Sequence, residues 1–376
     1  MSNKLPIRSL RSNHILRCHH SPFLSGLFGS LACLALATLI LPQSSAMAQE
    51  KEKDQIVPKI VTSNLKNPFG VAVRPITGEI LVADTGRGRI IQIEREITKE
   101  VVVDFPIKEF ELDKAMVLGP TSLLFRGRHI LFVGSVGGED GEDSISMFDL
   151  EQQGRKAFKP EDAVKSLSIE ASDDGPAAGN FFAMTRNRTG LYISGYGKND
   201  PSWITSADLI VNDFENFRRL INTPKLTGHP NPGGIALSPE NHLVVAQMGS
   251  RDEPGDSKLA FYSPAGELLD IFPTGLNDIV SLAYGPKSKR LYALDFSWEN
   301  PKKGGLYKLV AVDSKDGCEA ELIAKLERPT SMTFDQSGNL YITVCGMIGD
   351  SRSDSITLVD EEFTAPGKLL LIPGLE

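Results

Sequence analysis

The sequence predicts an all-β fold, a six-bladed β-propeller built from four-stranded blades. Three observations predict it. One turn–strand–turn–strand unit returns six times along the chain, and helical periodicity is nearly absent. An apolar segment ahead of the first unit stands where it can supply the one strand that the last unit lacks.

The first copy reads Asn67-Pro68-Phe69-Gly70-Val71-Ala72-Val73, then a polar turn at Thr77-Gly78-Glu79, then Ile80-Leu81-Val82-Ala83-Asp84. The second begins at Gly119-Pro120-Thr121 and continues through 130–133. The third has Asn180-Phe181-Phe182-Ala183 and then 190–194. The fourth has Asn231-Pro232-Gly233-Gly234-Ile235-Ala236 and then 243–246. The fifth runs from Ile279 to Tyr284 and then over 291–295. The sixth has Arg328-Pro329-Thr330-Ser331-Met332-Thr333-Phe334 and then 340–343. Second strands start near 80, 131, 191, 243, 291 and 340, at intervals of 51, 60, 52, 48 and 49 residues. That spacing, with Gly- and Pro-marked turns, suits propeller blades. A pair of β-sandwiches also has many short strands, but it does not explain the repeated order.

Third strands are read at 144–148, 259–262, 305–309 and 367–371, and fourth strands at 97–103, 164–169 and 321–324. Little chain follows residue 371, so the sixth unit has no outer strand of its own. Residues 55–61 are expected to supply it, closing the ring and leaving no open sheet edge at the join.

Residues 1–48 read as a signal peptide. Lys4, Arg8, Arg11 and Arg17 precede an apolar run over 23–41 and an Ala46-Met47-Ala48 site. The alternative is an uncleaved anchor, because that run is nearly long enough to span a bilayer. Cleavage would leave 49–376 as one propeller, secreted or periplasmic, and not an integral membrane protein. The whole chain carries 40 basic and 48 acidic residues, and the leader holds four of the basic ones, which leaves a net charge of −12. An acidic surface repels phosphate backbones, so nucleic acid is excluded as a partner. The mature part holds only Cys318 and Cys345, too few for a disulfide framework. The two are expected on opposite faces, too far apart to bond.

The segment 67–93 closely resembles an NHL repeat, in its Pro-x-Gly-Val-Ala-Val opening and its Val-Ala-Asp-Thr-Gly…Arg-Ile ending. More distantly, the chain resembles the senescence-marker-protein and gluconolactonase group of six-bladed propellers. That resemblance implies a divalent metal in the central channel, held by residues at the heads of the inner strands, and a lactonase activity. The segments that match the family's ligand motifs are Asp173-Asp174-Gly175, Pro230-Asn231-Pro232-Gly233-Gly234 and Leu276-Asn277-Asp278. In place of the family's glutamate-bearing segment stands Asn67-Pro68-Phe69-Gly70. The resemblance thus implies Asp174, Asn231 and Asp278 as metal ligands, for calcium or magnesium.

In a propeller the loops between second and third strands share one face with the links between blades. Those loops are expected to be long and polar in blades 2 to 6, which makes that face the functional one. Trp203 and Trp298 are read as loop aromatics there, and with Asn67 they are the candidate ligand-binding residues. His229, just ahead of Asn231, is the candidate general base. Asp84 reads as a carboxylate holding turn N–H groups or as a ligand. The acidic loop 139–143 reads as a solvated run or a calcium loop. No G-x-S-x-G, H-E-x-x-H or P-loop is present. Two functions stay open. One is a binding or scaffold propeller gripping a protein, peptide or glycan. The other is a metal-assisted lactonase or hydrolase.

Overall fold

The runs Ile80–Asp84, Leu243–Gln247 and Leu291–Asp295 are apolar on consecutive residues rather than alternate ones, and almost every position in them is buried. Such runs arise where a sheet is covered on both faces. The outer strands Ile97–Val102 and Leu268–Pro273 are largely exposed. Burial therefore falls from the inside of each sheet to its rim, as expected for sheets arranged radially around an axis.

The computed structural model describes residues 55–94, 97–110, 113–138, 141–171, 177–197, 200–211, 213–312, 317–346 and 366–376. The expected leader, Asp174, Glu139 and Asp140 lie outside them. Six four-stranded antiparallel sheets form the ring of a six-bladed β-propeller. Their inner strands, called a, are Val71–Val73, Pro120–Arg126, Ala183–Arg186, Pro232–Leu237, Ile279–Tyr284 and Pro329–Phe334. Strands b, c and d follow outward in chain order in blades 1 to 5.

Blade 6 takes its outer strand from the start of the described chain. Strand Lys59–Leu65 pairs antiparallel with Gly367–Ile372, with Lys59 opposite Leu371 and Leu65 opposite Gly367. The closing strand thus lies four residues beyond the expected 55–61. Pro58 has no N–H to give a ladder, and Val57 and Ile60 are 86% and 60% exposed. Leu65 is the residue that buries, against Leu369 and Ile91. Ahead of this strand, the Ile56 N–H donates to the Ile323 carbonyl of blade 5 at 3.0 Å.

The third residue past each inter-blade turn is small in every blade: Gly70, Ser122, Ala183, Gly234, Ser281 and Ser331. At Gly70 a Cβ would stand 2.6 Å from the Thr121 carbonyl of blade 2, and at Gly234 it would stand 2.7 Å from the Leu282 nitrogen of blade 5. Neighbouring inner strands approach too closely for a larger side chain.

Hydroxyl groups bridge all six joints. Thr85 donates to the Pro120 carbonyl at 2.6 Å, Thr121 to Phe181 at 2.7 Å, and Ser194 to Gly233 at 2.6 Å. Ser257 donates to Asn277 at 2.6 Å, Ser281 accepts from the Met332 N–H at 3.2 Å, and Thr330 donates to Pro68 at 2.7 Å. These bonds satisfy buried polar groups across the joints and so hold the blades in register as well as together.

Two readings are corrected. Trp203 lies within strand c of blade 3, Asp200–Ile210, and not in a loop. Strand b of that blade reaches Gly197, which pairs with Asp200, so blade 3 has a tight hairpin there instead of a long loop. The other addition is a hairpin, Lys108–Phe110 with Asp113–Leu118, between blades 1 and 2. Cys318 and Cys345 are free thiols, as expected.

Candidate functional site

The turns that lead into the inner strands carry equivalent residues: Asn67, Gly119, Asn180, Asn231, Asp278 and Arg328. Four of them, Asn67, Asn180, Asn231 and Arg328, have positive φ between 40° and 60°. Asparagine tolerates that left-handed conformation better than most residues, which accounts for its recurrence. Two residues further on, Phe69, Phe182, Gly233, Val280 and Thr330 come together around the mouth of the central channel. Phe69 and Phe182, from blades 1 and 3, meet with ring centroids 6.4 Å apart.

Over this mouth lies the hairpin. Its Phe110, Met116 and Leu118 join the channel residues, along with Met248, Phe296 and Trp298. Phe110 reaches Trp298 of blade 5 at a centroid distance of 5.9 Å, and Trp298 stacks in turn on Phe296 at 4.3 Å. On the hairpin's near side, Lys108 donates to the Gly138 carbonyl. The space enclosed is about 50 Å³. One water takes about 30 Å³ in the liquid, so with the hairpin in this position the mouth admits no sugar.

Asp278 is the carboxylate of the ring. It is 4% exposed, and one oxygen accepts the Trp298 N–H at 2.8 Å. Burial pushes its carboxyl up to about 6, the Trp298 N–H opposes this, and the charges of Asp295 and Asp256 add to it. Asp295 ends strand b of the same blade, and its oxygens accept the N–H groups of Asn277, Asp278 and Ser297, each at 3.0 Å. Asp84 does the same work in blade 1, accepting the Lys66 N–H at 2.7 Å, with Arg89 at 2.9 Å. Of the two readings of Asp84, the turn-holding one describes its contacts. Asp143, in the acidic loop, is buried and accepts the N–H groups of Gly138 and Asn180.

The other expected residues divide. Asn231 donates its amide N–H to the Gly249 carbonyl at 2.9 Å. Asn67 is buried in the equivalent place in blade 1. His229 stands two residues ahead of Asn231, its carbonyl accepting from Gln247 at 3.2 Å. Burial first, then Lys258, pulls the His229 imidazole below its ordinary range. Trp203 packs under Arg219, 5.8 Å from ring centroid to guanidinium, and is not among the residues of the mouth. Of the expected set, Asp278 and Trp298 are bonded to each other.

Sequence reading missed Asn180, Phe110 and Asp295. Asn180 was legible as the counterpart of Asn67 and Asn231, and Asp295 as that of Asp84. Nothing local marked Phe110. Among the described residues, no group of three His, Cys, Asp or Glu side chains converges to hold a metal. Asn231 and Asp278 offer one carboxylate between them, well short of the six to eight oxygens of a calcium site. The described donors alone do not fit a hard divalent cation.

No protein-family model matches the sequence, and no curated protein does. Solved structures do match the fold. A glucose dehydrogenase has 13% identity, with 84% of this chain and 99% of that one covered, at a TM-score of 0.54. A PQQ-bound aldose sugar dehydrogenase from Streptomyces coelicolor has 13% identity, with 83% and 96% covered, at 0.52. A gluconolactonase from Xanthomonas campestris has 12% identity, with 85% and 96% covered, at 0.51. At such identities the likeness is one of fold.

Proposed function

We propose that this protein acts on a sugar lactone at the loop-face mouth of its channel when the hairpin over it lifts, with Asp278 as the proton-accepting group. One observation carries the reading. A single buried carboxylate stands at the head of an inner strand with its carboxyl pushed up to about 6, bonded to the backbone N–H of Trp298, whose ring lines the mouth. A base poised near neutrality is what general-base hydrolysis needs. In the reaction the ionised carboxylate takes a proton from water as its oxygen bonds to the lactone carbonyl carbon. The ring C–O bond then breaks, and the proton passes to the departing alkoxide, leaving a hydroxy acid. No step is routed through a metal. The neighbours described as a gluconolactonase and as sugar dehydrogenases support a sugar-type substrate on this fold. The NHL-type kinship of blade 1 and an extracytoplasmic location, from the leader at 1–48, belong to the same reading.

A second reading is favoured by the lining itself. Phe69, Phe110, Phe182, Met248 and Trp298 suit an apolar or aromatic group of a protein, peptide or glycan, bound without chemistry.

Proton release from glucono-δ-lactone separates the two. The first reading expects opening faster than the spontaneous rate, rising with pH through about 6, and lost in Asp278→Asn. The assay is run with and without calcium and magnesium. No acceleration in any of these conditions leaves the binding reading.

A further inference from the structure

A larger cavity than the one at the channel mouth lies elsewhere among the described residues. It is an open cleft of about 720 Å³ between the outer parts of blades 4 and 5. Radial sheets diverge toward the rim, and other joints are filled where they do. At the joint of blades 1 and 2, Phe158 packs on Phe148 at 5.8 Å and accepts the Val103 N–H. At that of blades 2 and 3, Lys165 pairs with Asp213 at 2.8 Å. Between blades 4 and 5 the cleft opens beside the link 274–277, and Leu276, Tyr307, Ala320 and Leu322 are the apolar part of its lining.

The rim is cationic. Lys302, Lys303 and Lys325 are exposed and make no ion pair among the described residues, whereas the nearby Lys308 pairs with Glu321. Glu319 is the one exposed carboxylate of the lining, and the buried Asp295 at its edge is already held by backbone donors. On a chain with more acids than bases, the described lining of this cleft carries three lysines against two carboxylates, one of them already held by backbone donors.

We propose that this cleft binds an anionic amphiphile, a small molecule with an apolar chain or ring and a carboxylate head. The volume is within the usual range of small-molecule sites, about 300–1,000 Å³. The apolar body lies against Leu276, Tyr307 and Leu322, where it is removed from water. The head meets the lysines, whose flexible stems let their ammonium groups close on it. The cleft shares no lining residue with the channel mouth, though Asp295 at its edge accepts the Asp278 N–H.

Cys318 is a built-in reporter. Its thiol lines the cleft, its Sγ is 3.6 Å from the Pro273 carbonyl oxygen, and burial pushes it up to about 11. Cys345 is buried and serves as the internal control. Alkylation of each cysteine is followed at pH 9 by peptide mass spectrometry, with submicellar dodecanoate, dodecanol, dodecyltrimethylammonium or acetate. Only the free fraction reacts, so dodecanoate at about ten times its Kd should slow Cys318 labelling by about tenfold. Acetate, dodecanol and the cationic amphiphile should slow it far less. The Lys302→Glu, Lys303→Glu, Lys325→Glu triple variant changes only exposed side chains, so it should melt as the parent does and lose the protection. No slowing by dodecanoate overturns the proposal. Equal slowing by dodecanol overturns the charged head, and so does protection that survives in the triple variant.

Discussion

The Asp278 carboxylate accepts the backbone N–H of Trp298 at 2.8 Å, and the indole of that same Trp298 carries the Phe110 ring of the capping hairpin at 5.9 Å. Three elements far apart in sequence are joined through one tryptophan. The ionisable group that heads the inner strand of blade 5 is thereby tied to the cover of the channel.

The buried carboxylate makes stability depend on pH. Its folded value of about 6 lies above the ordinary 3.8. The native state therefore holds more protons than the unfolded state between these values, and stability falls as pH rises through that window. Above about 6 the loss is complete, and two pH units correspond to roughly 3 kcal/mol. Asp278→Asn keeps an oxygen to accept the Trp298 N–H and carries no charge. It should be more stable than the parent at pH 7, by a gap that closes toward pH 4. Urea unfolding at the two pH values checks this, and a gap that does not change with pH contradicts it.

The inter-blade hydroxyls should matter more than their number suggests. Thr330→Val keeps the shape and leaves the Pro68 carbonyl, 2.7 Å from the lost hydroxyl, without its donor. A buried unsatisfied group costs about 1–3 kcal/mol. Thr98→Val, on an exposed outer strand, should stay within about 0.5 kcal/mol. Equal denaturation midpoints for the two variants would mean that the joints are held by apolar packing alone.

Ring closure can be tested by two truncations. Removing everything before Lys59 loses only the Ile56–Ile323 bond at this end of the described chain, and should cost no more than about 1.5 kcal/mol. Removing the chain through Leu65 strips strand Gly367–Ile372 of its outer partner and uncovers Leu369. That protein should melt much lower and aggregate through its open edge. A melting temperature unchanged by the longer deletion would contradict closure by Lys59–Leu65.

Much of the ring was readable because each blade repeats the same local demands. A small residue must follow each inter-blade turn by three positions, so Gly70 and Gly234 announce inner strands without any knowledge of their neighbours. Strand b carries a run of consecutive apolar residues because it is covered on both faces, and that too is a local pattern. What was unreadable depends on contacts across the ring. Blade 3 is set apart by a 60-residue interval, and the Asp173-Asp174-Gly175 motif drew attention there. The turn residue equivalent to Asn231 is Asn180, six positions later. Trp203 looked like a loop residue because polar residues precede it, but the tight hairpin at Gly197 and Asp200 puts it in a strand. The hairpin over the mouth pairs Phe110 with Trp298, and no periodicity links two residues of such separation.

The hairpin should act as a cover that can be loosened. Phe110 is half-buried and meets Trp298 in a tilted ring contact at the channel mouth, while Arg251 lies 5.1 Å from the indole and is itself paired to Glu299 at 3.0 Å. Phe110→Ala removes one neighbour of the indole and leaves Phe296 and Arg251. An aromatic pair of this kind is worth about 1 kcal/mol, so the variant should fold with a modest loss of stability. The chain has two tryptophans, so in a Trp203→Phe background the emission reports Trp298 alone. Acrylamide should quench that emission more strongly in Phe110→Ala than in the parent. Any ligand of the mouth should also bind the variant faster, because the enclosed 50 Å³ is too small to receive one until the hairpin lifts. Unchanged quenching would mean that Phe110 does not shield Trp298 in solution, and that the mouth is open without any movement of the hairpin.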